Sequence, residues 1–275
     1  NFNYGLQNAK LSLNMYASKA EHDAYLRNSD YDNEQAGFNL SYELNNTDTL
    51  RVKYDHQQLK RGLVVQNVPG SSDFDSRYPA TPIGDSFANY QGKLPGDGSY
   101  TKIFRNNFNV SWNSNRTNGS DSITYWKNYE KQREHNVIGG QVIFDRYNVT
   151  DKSDGLMYKG STKLNPKHYL GYGIDYKRLR YGYGWYNVGA DKAGALYPSQ
   201  KMNLLGAYVE DSWKIDNRWT TNIGLRYDKM EGDKDANVSG NTTGSMNEEA
   251  LSPKLNVHFK NDERTSTSFS INRIW

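Results

Sequence analysis

Residues 219–228 read W-T-T-N-I-G-L-R-Y-D, and they fall into two alternating sets that want different surroundings. Trp219, Thr221, Ile223, Leu225 and Tyr227 share one face; Thr220, Asn222, Gly224, Arg226 and Asp228 share the other. A period of two predicts a strand. The same alternation recurs and predicts strands near 9–17, 37–45, 49–57, 103–113, 121–131, 153–164, 169–180, 203–214, 218–229, 251–259 and 265–273. The opening N-F-N-Y-G reads as the tail of one more. No stretch keeps a helical period. Each run is about ten residues, the length a strand tilted by about 45° needs to cross a bilayer.

The connectors sort into two kinds that alternate. L-Q-N-A, N-N-T-D, N-S-N-R-T-N-G-S, L-N-P-K-H, I-D-N-R and K-N-D-E-R are short and turn-like. Segments 18–36, 58–102, 132–152, 181–202 and 230–250 are expected to be long, irregular loops. Short turns on one side and long loops on the other are the habit of transmembrane β-barrels. Trp219 and Tyr227 lie eight residues apart, which on a tilted strand spans roughly 19 Å of membrane normal. Phe104 and Trp112 repeat that spacing. Two aromatic girdles bounding an apolar band account for both pairs. Cross-strand aromatic pairing in a soluble sheet accounts for one such strand but not for the series.

The expected fold is therefore all-β: a transmembrane antiparallel β-barrel of meander topology, with residues 1–275 as one barrel unit. Odd positions of 218–229 should face lipid, and Asn222, Arg226 and Asp228 the lumen. About 11–12 strands with both ends on the long-loop side predict an incomplete portion of a larger barrel of perhaps 22 strands.

Composition sharpens this picture. Only 35% of residues are hydrophobic, yet 13% are aromatic, with 22 Tyr. Disordered chains are poor in aromatics, whereas a barrel with a wet interior needs only a thin apolar band. No window holds the roughly 18 apolar residues of a membrane-spanning helix. The net charge of +3 gives no nucleic-acid signal, and the absence of Cys excludes disulfides and thiolate metal sites.

Catalytic chemistry is hard to find. His22, His56, His135, His168 and His258 show no metal-ligand spacing, and His56 and His135, near outer ends, have no clearly placed Ser or Asp partner for nucleophilic work. K-L-P-G-D-G-S-Y (93–100) lacks the strand-then-helix context of a phosphate loop. No enzyme activity, metal or cofactor is expected. Aromatics spaced by glycine or set in long loops remain, and they suit stacking on sugars, flat chelates or haem edges. The candidates for ligand contact are Tyr78, Tyr90, Tyr183, Trp185 and Tyr186. Arg51, Lys53, Asp55, Asp175, Lys177, Arg226 and Asp228 alternate onto the polar faces and are candidates for lumenal contact.

Two segments resemble the TonB-dependent outer-membrane receptors. L-G-A-Y-V-E-D-S-W-K-I-D-N-R-W-T-T-N-I-G-L-R-Y-D-K-M-E-G (205–232) is similar to a barrel run of that family at Tyr208, Asp211, Trp213, Gly224, Arg226, Tyr227 and Asp228. L-S-P-K-L-N-V-H-F followed by T-S-F-S-I-N-R-I-W resembles the next stretch, and with weaker echoes the likeness covers about residues 153 to 275. The resemblance implies energised uptake of siderophore-iron, haem, cobalamin or a glycan in the outer membrane of a Gram-negative bacterium. It also implies a plug domain filling the lumen and an inner-membrane TonB-type coupling protein. Outer-membrane lipid, lipopolysaccharide and a small-molecule ligand are the other expected partners. A plug is not recognisable in this sequence. The alternatives are a barrel enzyme (protease or phospholipase) and a passive porin or adhesin barrel.

Overall fold

A computed structural model describes residues 1–81, 95–182, 186–187, 199–234 and 244–273. Its strands are β1 Phe2–Gln7, β2 Leu11–His22, β3 Tyr31–Glu43, β4 Asp48–Gly62, β5 Tyr100–Arg116, β6 Gly119–Ile138 and β7 Gln141–Asn165. They continue with β8 His168–Gly182, β9 Tyr186–Asn187, β10 Ser199–Lys214, β11 Trp219–Lys234, β12 Gly244–Lys260 and β13 Ser266–Asn272. All pair antiparallel in one sheet whose order follows the chain, except that the two-residue β9 sits on β7. Every expected strand is present, and the N-terminal tail is β1. The sheet is open: β1 pairs only with β2 and β13 only with β12 among the described residues.

Pairing register sorts the side chains cleanly by face. Tracing partners outward from Leu225 puts Val209, Tyr172, Leu170, Ile223 and Leu255 on one side. That side also holds Trp219, Trp213, Ile174, Leu156, Ile123, Phe108, Met15 and Phe269, each 36% exposed or more. In water such a continuous apolar surface is a liability; against acyl chains it is the solvent-matched face. The opposite side carries Arg226, Asp228, Glu210, Lys254, Asp175 and Asp55. Odd positions of β11 thus face outward, as their pattern predicts. No helix among the described residues is long and apolar enough to cross a membrane.

A row of partners drifts as it crosses the sheet. Leu6 starts a row that passes through Val110 and Leu156 and reaches Lys229 and Glu249 on β11 and β12. The row leaves the apolar band because the strands are staggered, the geometry a barrel wall requires.

One connector differs from its expected form. Segment 132–152 is not an irregular loop: β6 and β7 run on to a two-residue turn at Gly139 and Gly140. Both glycines have positive φ (57° and 77°), as a type I′ hairpin turn requires. The strands also extend into the other long segments. Among the described residues, 23–30, 63–81 and 95–99 lie outside strands on the long-connector side, and the six short turns stay on the other side.

Candidate lumen wall and outer rim

The polar face is built from ion pairs that span three strands over a central glycine. Asp175 on β8, Gly206 on β10 and Asp228 on β11 are successive partners. Arg226 reaches Asp175 at 3.2 Å and holds both oxygens of Asp228 at 2.9 Å from its Nε. A Cβ at Gly206 would lie 2.2 Å from the Arg226 guanidinium and 2.9 Å from Asp175. Glycine is therefore the residue that lets this triad close. Glu210, Gly224 and Lys254 repeat the device, with Lys254 Nζ 2.9 Å from Glu210.

Tyr16, Gly37 and Asp55 form a third row on β2, β3 and β4. The Tyr16 hydroxyl donates to Asp55 across Gly37, and Lys53 pairs with the same carboxylate at 3.1 Å. Trp126 lies flat on Gly155 and Tyr208 on Gly173, by the same logic of an aromatic ring covering a strand glycine. Lys53, Asp55, Asn107, Asn109, Trp126 and Asn128 line a cavity of about 490 Å³ on this face.

Asp175, Arg226 and Asp228 are thus brought together. Asp55 belongs to a separate cluster with Tyr16 and Lys53. Lys177 lies 3.8 Å from Asp175. Arg51 is exposed on the same face, four residues along β4 from Asp55, without an ion pair among the described residues. Tyr16, Glu210, Lys254 and Trp126 were not singled out from sequence. Their signal was the glycine at strand centre, which marks close approach by a neighbouring side chain.

The long-connector side carries a compact loop. Asn67 is fully buried and donates from Nδ2 to the carbonyls of Asp75, Tyr78 and Pro79, at 2.8, 3.1 and 3.2 Å. Its Oδ1 accepts from the Asp75 amide, and its own amide donates to Thr81 Oγ1. One side chain thereby closes the turn 67–81. Arg77 chelates Asp75 and holds its carboxyl down at about 2; Arg77's own guanidinium is raised in turn. The Arg77 guanidinium also lies 5.8 Å from the Tyr78 ring centre.

Arg27, whose side chain is 11% exposed, pairs with Asp97 at 2.5 Å and Asp73 at 3.6 Å. It borders a cavity of about 620 Å³ between this loop and the Gly139–Gly140 turn. Tyr78, within this loop, is half-buried. Tyr90, Tyr183 and Trp185 lie outside the described residues, and of Tyr186 only the backbone is described, as part of β9. No group of three His, Asp or Glu among the described residues could hold a metal.

Two-faced, staggered, antiparallel and wet on one side, this sheet is part of the wall of a membrane-spanning β-barrel. The chain belongs to the TonB-dependent receptors: the family model described as "TonB dependent receptor-like, beta-barrel" matches residues 1–275. The match extends to the first half, where sequence alone offered only a general likeness. No curated protein matches the chain. Solved structures do. The FrpB iron transporter from Neisseria meningitidis aligns with a TM-score of 0.65 and 14% identity, over 98% of this chain and 43% of its own. The ferric citrate transporter FecA, unliganded, aligns at 0.63 and 12%, over 94% and 38%. The ferric-catecholate import receptor Fiu from E. coli K12 aligns at 0.63 and 11%, over 98% and 47%. These likenesses carry the fold. The chain spans less than half the length of each of these three receptors.

Proposed function

We propose that residues 1–275 form part of the barrel of a ligand-gated importer in the outer membrane of a Gram-negative bacterium. Its cargo is a scarce ligand of the ferric-siderophore class, as the names of the similar receptors suggest. The observation that carries this reading is the charged wall opposite the apolar band. The Arg226 triad, the Glu210–Lys254 pair and the Asp55 cluster give the lumen fixed, hydrogen-bonded charges. Such a wall suits a folded plug better than an open water channel, because each charge is oriented by a neighbour.

In this reading Arg51, Asp55, Asp175, Arg226 and Asp228 meet the plug. Tyr78, Tyr90, Tyr183, Trp185 and Tyr186 belong to the outer segments that meet the ligand. Energy arrives from an inner-membrane TonB-type protein through the plug, and the barrel performs no covalent chemistry. The test is uptake of radiolabelled ferric siderophores by cells that carry or lack the full receptor, under iron limitation. Uptake should require both the receptor and the coupling protein. Equal uptake in the deletion strain across a panel of chelates would sink the iron-siderophore reading.

A further inference from the structure

The lumen face changes character at β5 and β6. β5 reads N-F-N-V-S-W-N-S-N over 107–115, and every second residue from Asn107, all Asn or Ser, faces the lumen. Opposite it β6 reads S-D-S-I-T-Y-W-K-N over 120–128, and its lumen positions, counted from Ser120, hold hydroxyls, Trp126 and Asn128. None of these lumen positions is charged. Both flanking strands are: Lys53 on β4 is the partner of Asn109, and Lys159 on β7 is the partner of Ser122. From β8 to β12 the membrane-spanning strands carry Asp175, Glu210, Arg226 and Lys254 on the same face. β2 and β3 are uncharged at mid-height as well, but there Tyr16 reaches across Gly37 to Asp55. β5 and β6 thus make an uncharged stripe between charged neighbours. Asn107 and Asn115 lie eight residues apart, roughly 19 Å of membrane normal on a tilted strand.

The stripe is hollow at its outer half. Trp126 leans onto β7, where a Cβ on Gly155 would lie 2.7 Å from the indole. The cavity of about 490 Å³ described above is lined by Asn107, Asn109 and Asn128 beside that ring. The side chains of these three Asn form no hydrogen bond among the described residues. Each therefore keeps two donors and an acceptor for whatever enters. The nearest charges are already engaged, Asp55 by Lys53 and Tyr16, and Arg105 by Glu130 at the outer end of the stripe. Arg51, on the far side of Ser111, is the one neighbouring charge without an ion pair among the described residues.

We propose that this stripe is the track along which cargo crosses the lumen between wall and plug, with the hollow at Trp126 as a resting place on it. Passage needs a surface attractive enough to admit a ligand, yet weak and repeated enough to release it. Evenly spaced amides and hydroxyls meet that need for cargo whose rim carries hydroxyl and carbonyl oxygens. A fixed charge would hold such a chelate or repel it. The oriented charges on β4 and on β8–β12 hold the plug to either side, so the plug parts from the wall where no charge fastens it. The track rests on the importer reading given above, and it adds to that reading a place and a surface chemistry for the passage.

The test places single cysteines in a cysteine-free version of the full receptor, in cells that take up a radiolabelled ferric chelate. Asn109→Cys and Thr124→Cys report on the stripe; Asn222→Cys and Ser252→Cys report on the lumen face of β11 and β12. A small water-soluble maleimide should label positions 109 and 124 about tenfold faster during energised uptake than in cells lacking the coupling protein. Positions 222 and 252 should label at the same rate in both. A second measurement adds charge at nearly constant size. Asn113→Asp with Asn128→Asp should slow uptake about tenfold and leave chelate binding to de-energised cells unchanged, whereas Asn222→Asp should alter neither. Heat-modifiable mobility confirms that each variant is a closed barrel; if the double variant lacks it, the labelling rates decide. Faster labelling on both faces, on β11 and β12 alone, or on neither while uptake proceeds overturns the track, because the stripe is then an ordinary plug contact. So does full-speed uptake by the folded double variant. An unaltered receptor that takes up none of the chelates instead overturns the importer reading, and the track with it.

Discussion

Gly37 shows how much a single hydrogen atom can decide in this wall. A Cβ there would lie 2.5 Å from both the Tyr16 hydroxyl and the Tyr54 carbonyl. The carbonyl is backbone and cannot swing aside, so Gly37→Ala must part β3 from β4 or expel Tyr16 from Asp55. Gly5 has nothing within 4 Å of the same construction. Gly37→Ala in the full receptor should lower the thermal midpoint by several degrees, a loss of roughly 1–3 kcal/mol for an overpacked site. Gly5→Ala should leave it unchanged or slightly raised. A side chain outside the membrane supplies the pH counterpart. Arg77, through its guanidinium and its own amide, holds the Asp75 carboxyl at about 2, against an ordinary value of 3.8. A carboxyl depressed by folding contributes above its unfolded pKa and loses that contribution as pH falls through the folded one. Loop 67–81 should therefore keep its contacts at pH 5 and loosen between about 4 and 2. Hydrogen exchange at the Asp75 and Arg77 amides checks this; loosening already at pH 6 contradicts it.

At the scale of elements, the β6–β7 hairpin is where local sequence and structure part company. Val137, Val142 and Ile143 continue the strands well past the aromatic girdle, and Gly139–Gly140 turns them in two residues. Gly140 at φ 77° should not accept a β-branched side chain. Gly140→Val should fray the hairpin tip and expose it to protease. Gly139→Asn, which makes the Asn-Gly turn, should be tolerated. The G-G dipeptide was visible in sequence, but the alternation beside it is broken by a bulge. Glu130 pairs with Asp151 and Lys131 with Val149, leaving Thr150 over. One extra residue shifts β7 parity relative to β6, and a period-two reading loses its phase there. Elsewhere the phase never slips through the membrane-spanning stretch, so strands, order and faces were legible from alternation alone. The lumen clusters were legible only in part. Arg226 and Asp228 sit two apart on one strand, whereas Tyr16–Asp55 and Glu210–Lys254 join strands through a register that only the assembled sheet defines.

The whole molecule is an open sheet, and its two edges set the strongest expectation about its behaviour. β1 offers one side without a partner among the described residues, and β13 does the same. At membrane depth each unpaired N–H and C=O costs several kcal/mol, so only closed barrels persist there. In water the same edges face other copies, beside an apolar surface that includes Phe2, Tyr4, Leu6, Phe269 and Ile271, all at least 41% exposed. Both solvents therefore reject the sheet alone, one through its edges and the other through its outer face. A polypeptide limited to residues 1–275 should refold into strand-rich aggregates and show no heat-modifiable band after exposure to vesicles. The full receptor, with further strands to meet β1 and β13, should give that band under the same conditions. The comparison is direct, because detergent, lipid and the 275 shared residues are held constant and only the supply of edge partners changes. A monomeric, heat-modifiable, vesicle-inserted product from 1–275 alone would mean that β1 and β13 can meet. The sheet would then close at twelve strands, too narrow to hold a folded plug, and the importer reading would yield to a small self-sufficient pore.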